Sequence, residues 1–179
     1  MRHALSLLLS VLLLSSAPAL AQIEEKVSDV TGGERLVSQG MRKLVSSSYP
    51  GHASFQAEYE KPPEEPPIWR LSVYGFAQDT TRMTATTGVQ LVADGQPITP
   101  ERVVSKTRNL DSSILEIKEL ILTRSMFQNV ATAQEVTATI GSYQFGFTRP
   151  LRKDLRLILD RVPEGQGPQT ASSDDSTNR

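Results

Sequence analysis

The stretch QEVTATIGSYQFGFT, residues 134–148, constrains the fold more than any other part of the chain. Two runs of alternating apolar and polar residues flank Gly141-Ser142. If that pair is a two-residue loop, with Gly supplying the positive φ of a type II′ turn, the register has no freedom left. Ile140 then opposes Tyr143, Ala138 opposes Phe145 and Val136 opposes Phe147, all on one face. Thr137, Thr139, Gln144 and Gly146 take the other face. A slip of one residue would turn the whole apolar set to water.

The flanks of this hairpin read as helices. Thr123 can cap the first, its hydroxyl accepting from a free backbone N–H of the first turn. Met126, Phe127, Val130, Ala131 and Ala133 then recur at helical spacing over two to three turns. Thr148 can cap the second, where Pro150 is tolerated in the first turn. Leu151, Leu155, Ile158 and Val162 form its apolar stripe, and Arg152, Lys153, Arg156 and Arg161 are expected outside.

Upstream the pattern is that of strands. ASFQAEYE (53–60) alternates, with Ala53, Phe55, Ala57 and Tyr59 opposite Ser54, Gln56, Glu58 and Glu60. The proline-rich KPPEEPP (61–67) stops it, because proline cannot donate to a ladder. IWRLSVYGFA (68–77) places Trp69, Leu71 and Val73 on one face and Tyr74 and Phe76 on the other. VQLVADGQPI (89–98) runs into Asp94-Gly95, a strong tight-turn signal. RVVSKT (102–107) and ILEIKELILT (114–123) complete the set, the latter with Leu115, Ile117 and Ile121 on one side. Residues 22–48 are ambiguous. Ile23, Val27 and Val30 have helical spacing, and 34–45 fits either a helix or two strands with a turn at Gly40.

The ends carry other signals. MRHALSLLLSVLLLSSAPALA has a basic n-region, an apolar run of about ten residues and a small-x-small site at Ala19-Leu20-Ala21, the pattern of a signal peptide removed after Ala21. No Cys follows it, which excludes attachment through a lipidated N-terminal Cys. Residues 163–179, rich in Pro, Gly, Ser, Thr and Asp, are expected to be a disordered tail. Between them, residues 22–162 have the length of one domain.

Composition removes several function classes. The chain has no Cys, so disulfides, thiolate metal sites and Cys nucleophiles are excluded. With 19 Lys plus Arg against 20 Asp plus Glu, the net charge of −1 is not that of a nucleic-acid binder. His52 is the only histidine beyond the leader, so a metal would find no second imidazole. No Gly-x-Ser-x-Gly elbow and no phosphate-binding Gly loop is present. No cofactor or metal is implied.

The segment MFQNVATAQEVTATIGSYQFGF followed by RPLRKDLRLIL resembles a pattern in uncharacterised exported bacterial β-rich proteins. That pattern has an aromatic-x-x-[Ile/Val]-Ala-x-Ala helix, a Gly-turn hairpin and a Leu-rich C-terminal helix. VADGQPI and the FQAEY strand before a Pro-rich loop are similar too, so the likeness covers most of residues 34–160. It implies a fold, favours strands at 34–45, and brings no activity or site residue with it.

The expected fold is α+β and mostly antiparallel β, a sandwich-like arrangement of roughly six to eight strands with two short helices near the C-terminus. The expected function is that of an exported, periplasmic or secreted, non-catalytic domain in envelope-associated binding or assembly. Its partner would be another envelope or secreted protein, with no membrane span after leader removal. Tyr74 and Phe76 are core if both faces of their sheet are covered, and a binding patch if they are exposed. Glu58 and Glu60, with Glu64 and Glu65, read as a solvated acidic rim. The alternatives are a hydrolase using carboxylates around Glu58, Glu60 and Asp111, and a small-ligand carrier with an apolar cavity.

Overall fold

The computed structural model describes residues 23–46, 48–78, 81–162 and 164. The expected leader lies outside these, as does the expected tail apart from Glu164.

Twelve strands and two helices are present among the described residues. In chain order they are β1 (Ile23–Val27), β2 (Glu34–Ser38), β3 (Arg42–Lys43), β4 (Val45–Ser46), β5 (Ala53–Lys61), β6 (Ile68–Ala77), β7 (Val89–Ala93), β8 (Gln96–Ile98), β9 (Arg102–Asn109), β10 (Ile114–Leu122), α1 (Arg124–Thr132), β11 (Val136–Ile140), β12 (Tyr143–Gly146) and α2 (Arg149–Arg161). The larger sheet runs β1-β2-β5-β6-β10-β9, with β3 also on β5, and the smaller runs β4-β12-β11-β7-β8. Every pairing is antiparallel. The strand count exceeds the expected six to eight because β3, β4 and β8 are only two or three residues long and residues 23–27, whose apolar spacing is helical, add β1.

The hairpin register is the expected one. Ile140 pairs Tyr143 and Ala138 pairs Phe145, and the Phe147 N–H donates to the Val136 carbonyl. Gly141 has φ +60°, while Ser142 is not in the left-handed region, which fits a type II′ turn. At the β7–β8 hairpin both Asp94 (φ 48°) and Gly95 (φ 78°) are left-handed, the requirement of type I′. Residues 34–46 are extended and turn at Gly40, but the second half is split. β3 pairs β5 in one sheet and β4 pairs β12 in the other, with Leu44 buried where the chain changes sheets. The helical spacing of Ile23, Val27 and Val30 is not used: residues 23–27 form β1, and Val27 and Val30 are exposed.

The inner face of the larger sheet carries Phe55, Ala57, Tyr59, Trp69, Leu71 and Val73, all buried. Both helices and the smaller sheet pack into the same hydrophobic cluster. Trp69 lies between Tyr59 (4.7 Å between ring centroids) and Phe127 of α1 (5.0 Å). Phe55 meets Phe147 at 4.8 Å, which joins β5 to the start of the α2 segment. Such tilted pairs add about 0.5–1.5 kcal/mol beyond their area burial.

The first helix meets its expectation and the second departs from it at two points. Thr123 caps α1 as expected, accepting from the Met126 N–H at 3.1 Å. Thr148 occupies the N-cap of α2 but makes no side-chain cap bond. The α2 stripe Leu151, Leu155, Ile158 and Val162 is buried, and so is Arg152, which was expected outside. Arg152 turns back, and its Nη1 donates to the Phe147 carbonyl.

Candidate functional site

The faces of the larger sheet differ in chemistry, and the alternation of β5, β6 and β10 decides which residue lies where. On β10 the inward phase is not fully aliphatic. Glu116 and Lys118 point inward with Leu120 and Leu122, and both charged residues are buried. Glu116 Oε1 accepts from the backbone N–H of Arg82 (2.7 Å), the N–H of Thr84 (2.9 Å) and the Thr84 hydroxyl (2.9 Å), while Oε2 accepts from the Tyr49 hydroxyl at 3.1 Å. Lys118 Nζ donates to the Thr86 carbonyl and, at 2.6 Å, to Ser105 Oγ. Residues 81–88 are therefore strapped across the inner face by two buried charges, with Met83 fully buried beneath. Gly75, directly opposite Glu116 in the register, makes this possible: a Cβ there would stand 2.4 Å from the Tyr49 hydroxyl.

The outward phase carries the residues singled out from the sequence. Glu58 and Glu60 do face away from the hydrophobic core, yet they are not a solvated rim. They are 3% and 6% exposed. Glu58 is clamped by Arg35 (2.6 Å) and by Arg70 from the neighbouring strand. Arg70 also reaches Glu60 (3.6 Å) and Glu119 (3.8 Å), and Glu119 pairs Lys106 at 2.6 Å. The ion chain thus crosses from β2 to β9. Burial by itself would raise the Glu60 carboxyl, but bonds from the Thr31 and Ser28 hydroxyls and the charges of Arg70 and Arg35 hold it below the usual carboxylate range. A general acid needs the opposite shift. Asp111, the third carboxylate of the hydrolase reading, is exposed at the β9–β10 turn. Glu58 pairs Arg70, which pairs Ile121, so at roughly 3.3 Å rise per strand residue Asp111 lies about 30 Å along the sheet from Glu58. Glu64 and Glu65 are exposed in the β5–β6 loop.

Tyr74 and Phe76 also point outward, and they are half-buried rather than core. The two phases of β6 are not equally covered, because the helices and the smaller sheet all pack on the inner side. In the register Tyr74 lies beside Ile117, and Phe76 beside Leu115. The four form a strip over two strands, and the Tyr74 hydroxyl donates to Gln56 Oε1 at 3.0 Å. On the β9 side, Arg108 adjoins Leu115 and Arg102 adjoins Ile121. Neither arginine makes an ion pair among the described residues. The strip ends at an open cleft of about 560 Å³, where Phe76 meets Tyr49, His52 and Arg82. His52 is exposed there, and no group of three or more His, Asp or Glu among the described residues could hold a metal.

The sequence placed Leu115 and Ile117 on one side of β10 but gave no link to Tyr74 and Phe76, which came from the pairing. The buried role of Glu116 and Lys118 was missed; charged residues alternating with Ile114, Leu120 and Leu122 were the available signal.

Comparison of the chain with protein-family models, curated proteins and solved structures found no match in any of the three. Fold and site class therefore rest on the geometry: a mostly antiparallel α+β two-sheet sandwich with one apolar strip on its outer face. No helix among the described residues is long and apolar enough to cross a membrane.

Proposed function

We propose that this is an exported, non-catalytic binding domain acting in envelope-associated assembly, and that it docks a protein partner on the outer face of β6, β10 and β9. The observation that carries the reading is the strip of Tyr74, Phe76, Leu115 and Ile117, half-buried on the side away from the core and bordered on β9 by Arg108 beside Leu115, with Arg102 farther along the same strand beside Ile121. The border sets the partner's chemistry. It presents an apolar ridge flanked by carboxylates, which complements both features at once.

The test is a photo-crosslinking residue at position 76 in the cell of origin, with a control at Lys26, an exposed residue on β1. A discrete heterologous adduct from 76, absent from 26 and lost when Arg102→Glu and Arg108→Glu are combined, supports the reading. Equal adducts from both positions, or none from 76, count against it.

A further inference from the structure

The first half of α2 carries a charge pattern that runs against helix electrostatics. The N-terminal end of a helix favours anions, yet α2 has no acidic residue in its first turn. It holds Arg149, Arg152, Lys153 and Arg156 instead, at positions i, i+3, i+4 and i+7, and these share one side. All four line a cleft of about 860 Å³, and Arg42 of β3 lines it too. Several of these cations are held in place. Arg42 forms a forked pair with Asp154 (2.8 and 3.2 Å), and Arg156 Nε donates to the Ala131 carbonyl at 2.8 Å at the end of α1. Arg152 is 7% exposed, and its buried Nε has no hydrogen-bond partner among the described residues. Arg149 and Lys153 are exposed and make no ion pair among them. The nearby carboxylates are engaged: Asp154 by Arg42, and Asp94 by the backbone N–H groups of Gln134 and Glu135.

We infer that this cleft binds the phosphate group of a small phosphorylated ligand or headgroup. Planar guanidinium forks match phosphate oxygens in pairs, and the N-terminal end of α2, where Thr148 makes no side-chain cap bond, adds its favourable dipole. The cleft is larger than a bare ion needs and suits a ligand that carries more than its phosphate. An anion here would supply the negative charge that the first turn of α2 lacks.

Calorimetric titration of the mature chain with inorganic pyrophosphate at low salt tests this, alongside the Arg149→Gln/Lys153→Gln double variant, whose altered side chains are exposed. The expected result is saturable one-to-one binding that weakens about tenfold or more in a double variant of unchanged melting temperature. Sedimentation with phosphatidylcholine vesicles containing phosphatidic acid identifies the source: co-sedimentation lost in the variant supports a lipid headgroup, and pyrophosphate binding without it supports a soluble phosphoryl ligand. No saturable pyrophosphate binding, an affinity unchanged in the double variant, or citrate bound as tightly as pyrophosphate overturns the inference.

Discussion

Glu116 stands where a core strand ordinarily places an aliphatic side chain, and it is tolerated because four donors meet its two oxygens. Removing the acceptor leaves those donors unpaired, the buried Tyr49 hydroxyl among them, a larger loss than the net worth of the bonds. Glu116→Ala is expected to destabilise by about 3 kcal/mol or more, measured by urea denaturation, with the Gln variant recovering much of the loss because its amide oxygen still accepts. Tyr59 presents the converse case. Its ring is packed against Trp69, but its buried hydroxyl finds no partner among the described residues. Tyr59→Phe should stabilise by about 1 kcal/mol; a loss of stability would show that the hydroxyl is bonded. The tyrosines also set the alkaline limit. Burial, with Glu116 adding to it at Tyr49, raises Tyr49 well above the ordinary tyrosine range, and burial raises Tyr59 and Tyr74 as well. The folded state therefore holds these protons more tightly than the unfolded chain. Their contribution is intact below about pH 10, the unfolded value, and is lost as pH rises beyond it. Lys118 has the opposite sign. Burial lowers it below the ordinary lysine value, so stability gains as pH climbs from its lowered folded value toward about 10.4. Stability measured against pH should fall above about pH 10, and less steeply in Tyr49→Phe.

At the scale of the elements, α2 begins with its dipole uncompensated. Thr148 makes no side-chain cap bond and the first turn carries no acid. Thr148→Asp is expected to raise stability by about 0.5–1 kcal/mol through charge and capping together, read as a shift in melting temperature; a drop would show that the hydroxyl has a role at that position. How far the elements could be read from the chain follows the same physics. The 136–147 hairpin was legible down to its register, because Gly141 fixes the turn and a slip would expose Val136, Ala138, Phe145 and Phe147. The β5 and β6 phases were legible from alternation alone. β3 and β4 were not, since two-residue strands have no period and the change of sheet at Leu44 is set by partners distant in sequence. Nor was the burial of Glu58, because Arg35 and Arg70 reach it from two other strands. Arg152 was placed outside by its phase on α2. Its recovery as a buried residue depends on the Phe147 carbonyl, which only the folded turn presents.

For the whole molecule, the two faces of the larger sheet divide the work. The inner face receives both helices, the smaller sheet and the strap over 81–88, and it holds the hydrophobic cluster together. The outer face combines an ion chain from Arg35 to Lys106 with the Tyr74–Ile117 and Phe76–Leu115 pairs. Face parity was legible in the sequence, but coverage was not: alternation tells which residues share a side, and only tertiary packing tells which side is left open. Because the chain has no cysteine, single-cysteine footprinting is clean and tests the docking face most directly. Phe76→Cys, Ile117→Cys and a Lys26→Cys control are labelled with a maleimide, once as purified protein and once in the cell of origin. The expected result is measurable labelling of all three positions in the purified protein and, relative to those rates, at least about tenfold slower labelling of 76 and 117, but not of 26, in the cell. Rates in the cell unchanged from those of the purified protein at all three positions would contradict the docking of a partner on this face.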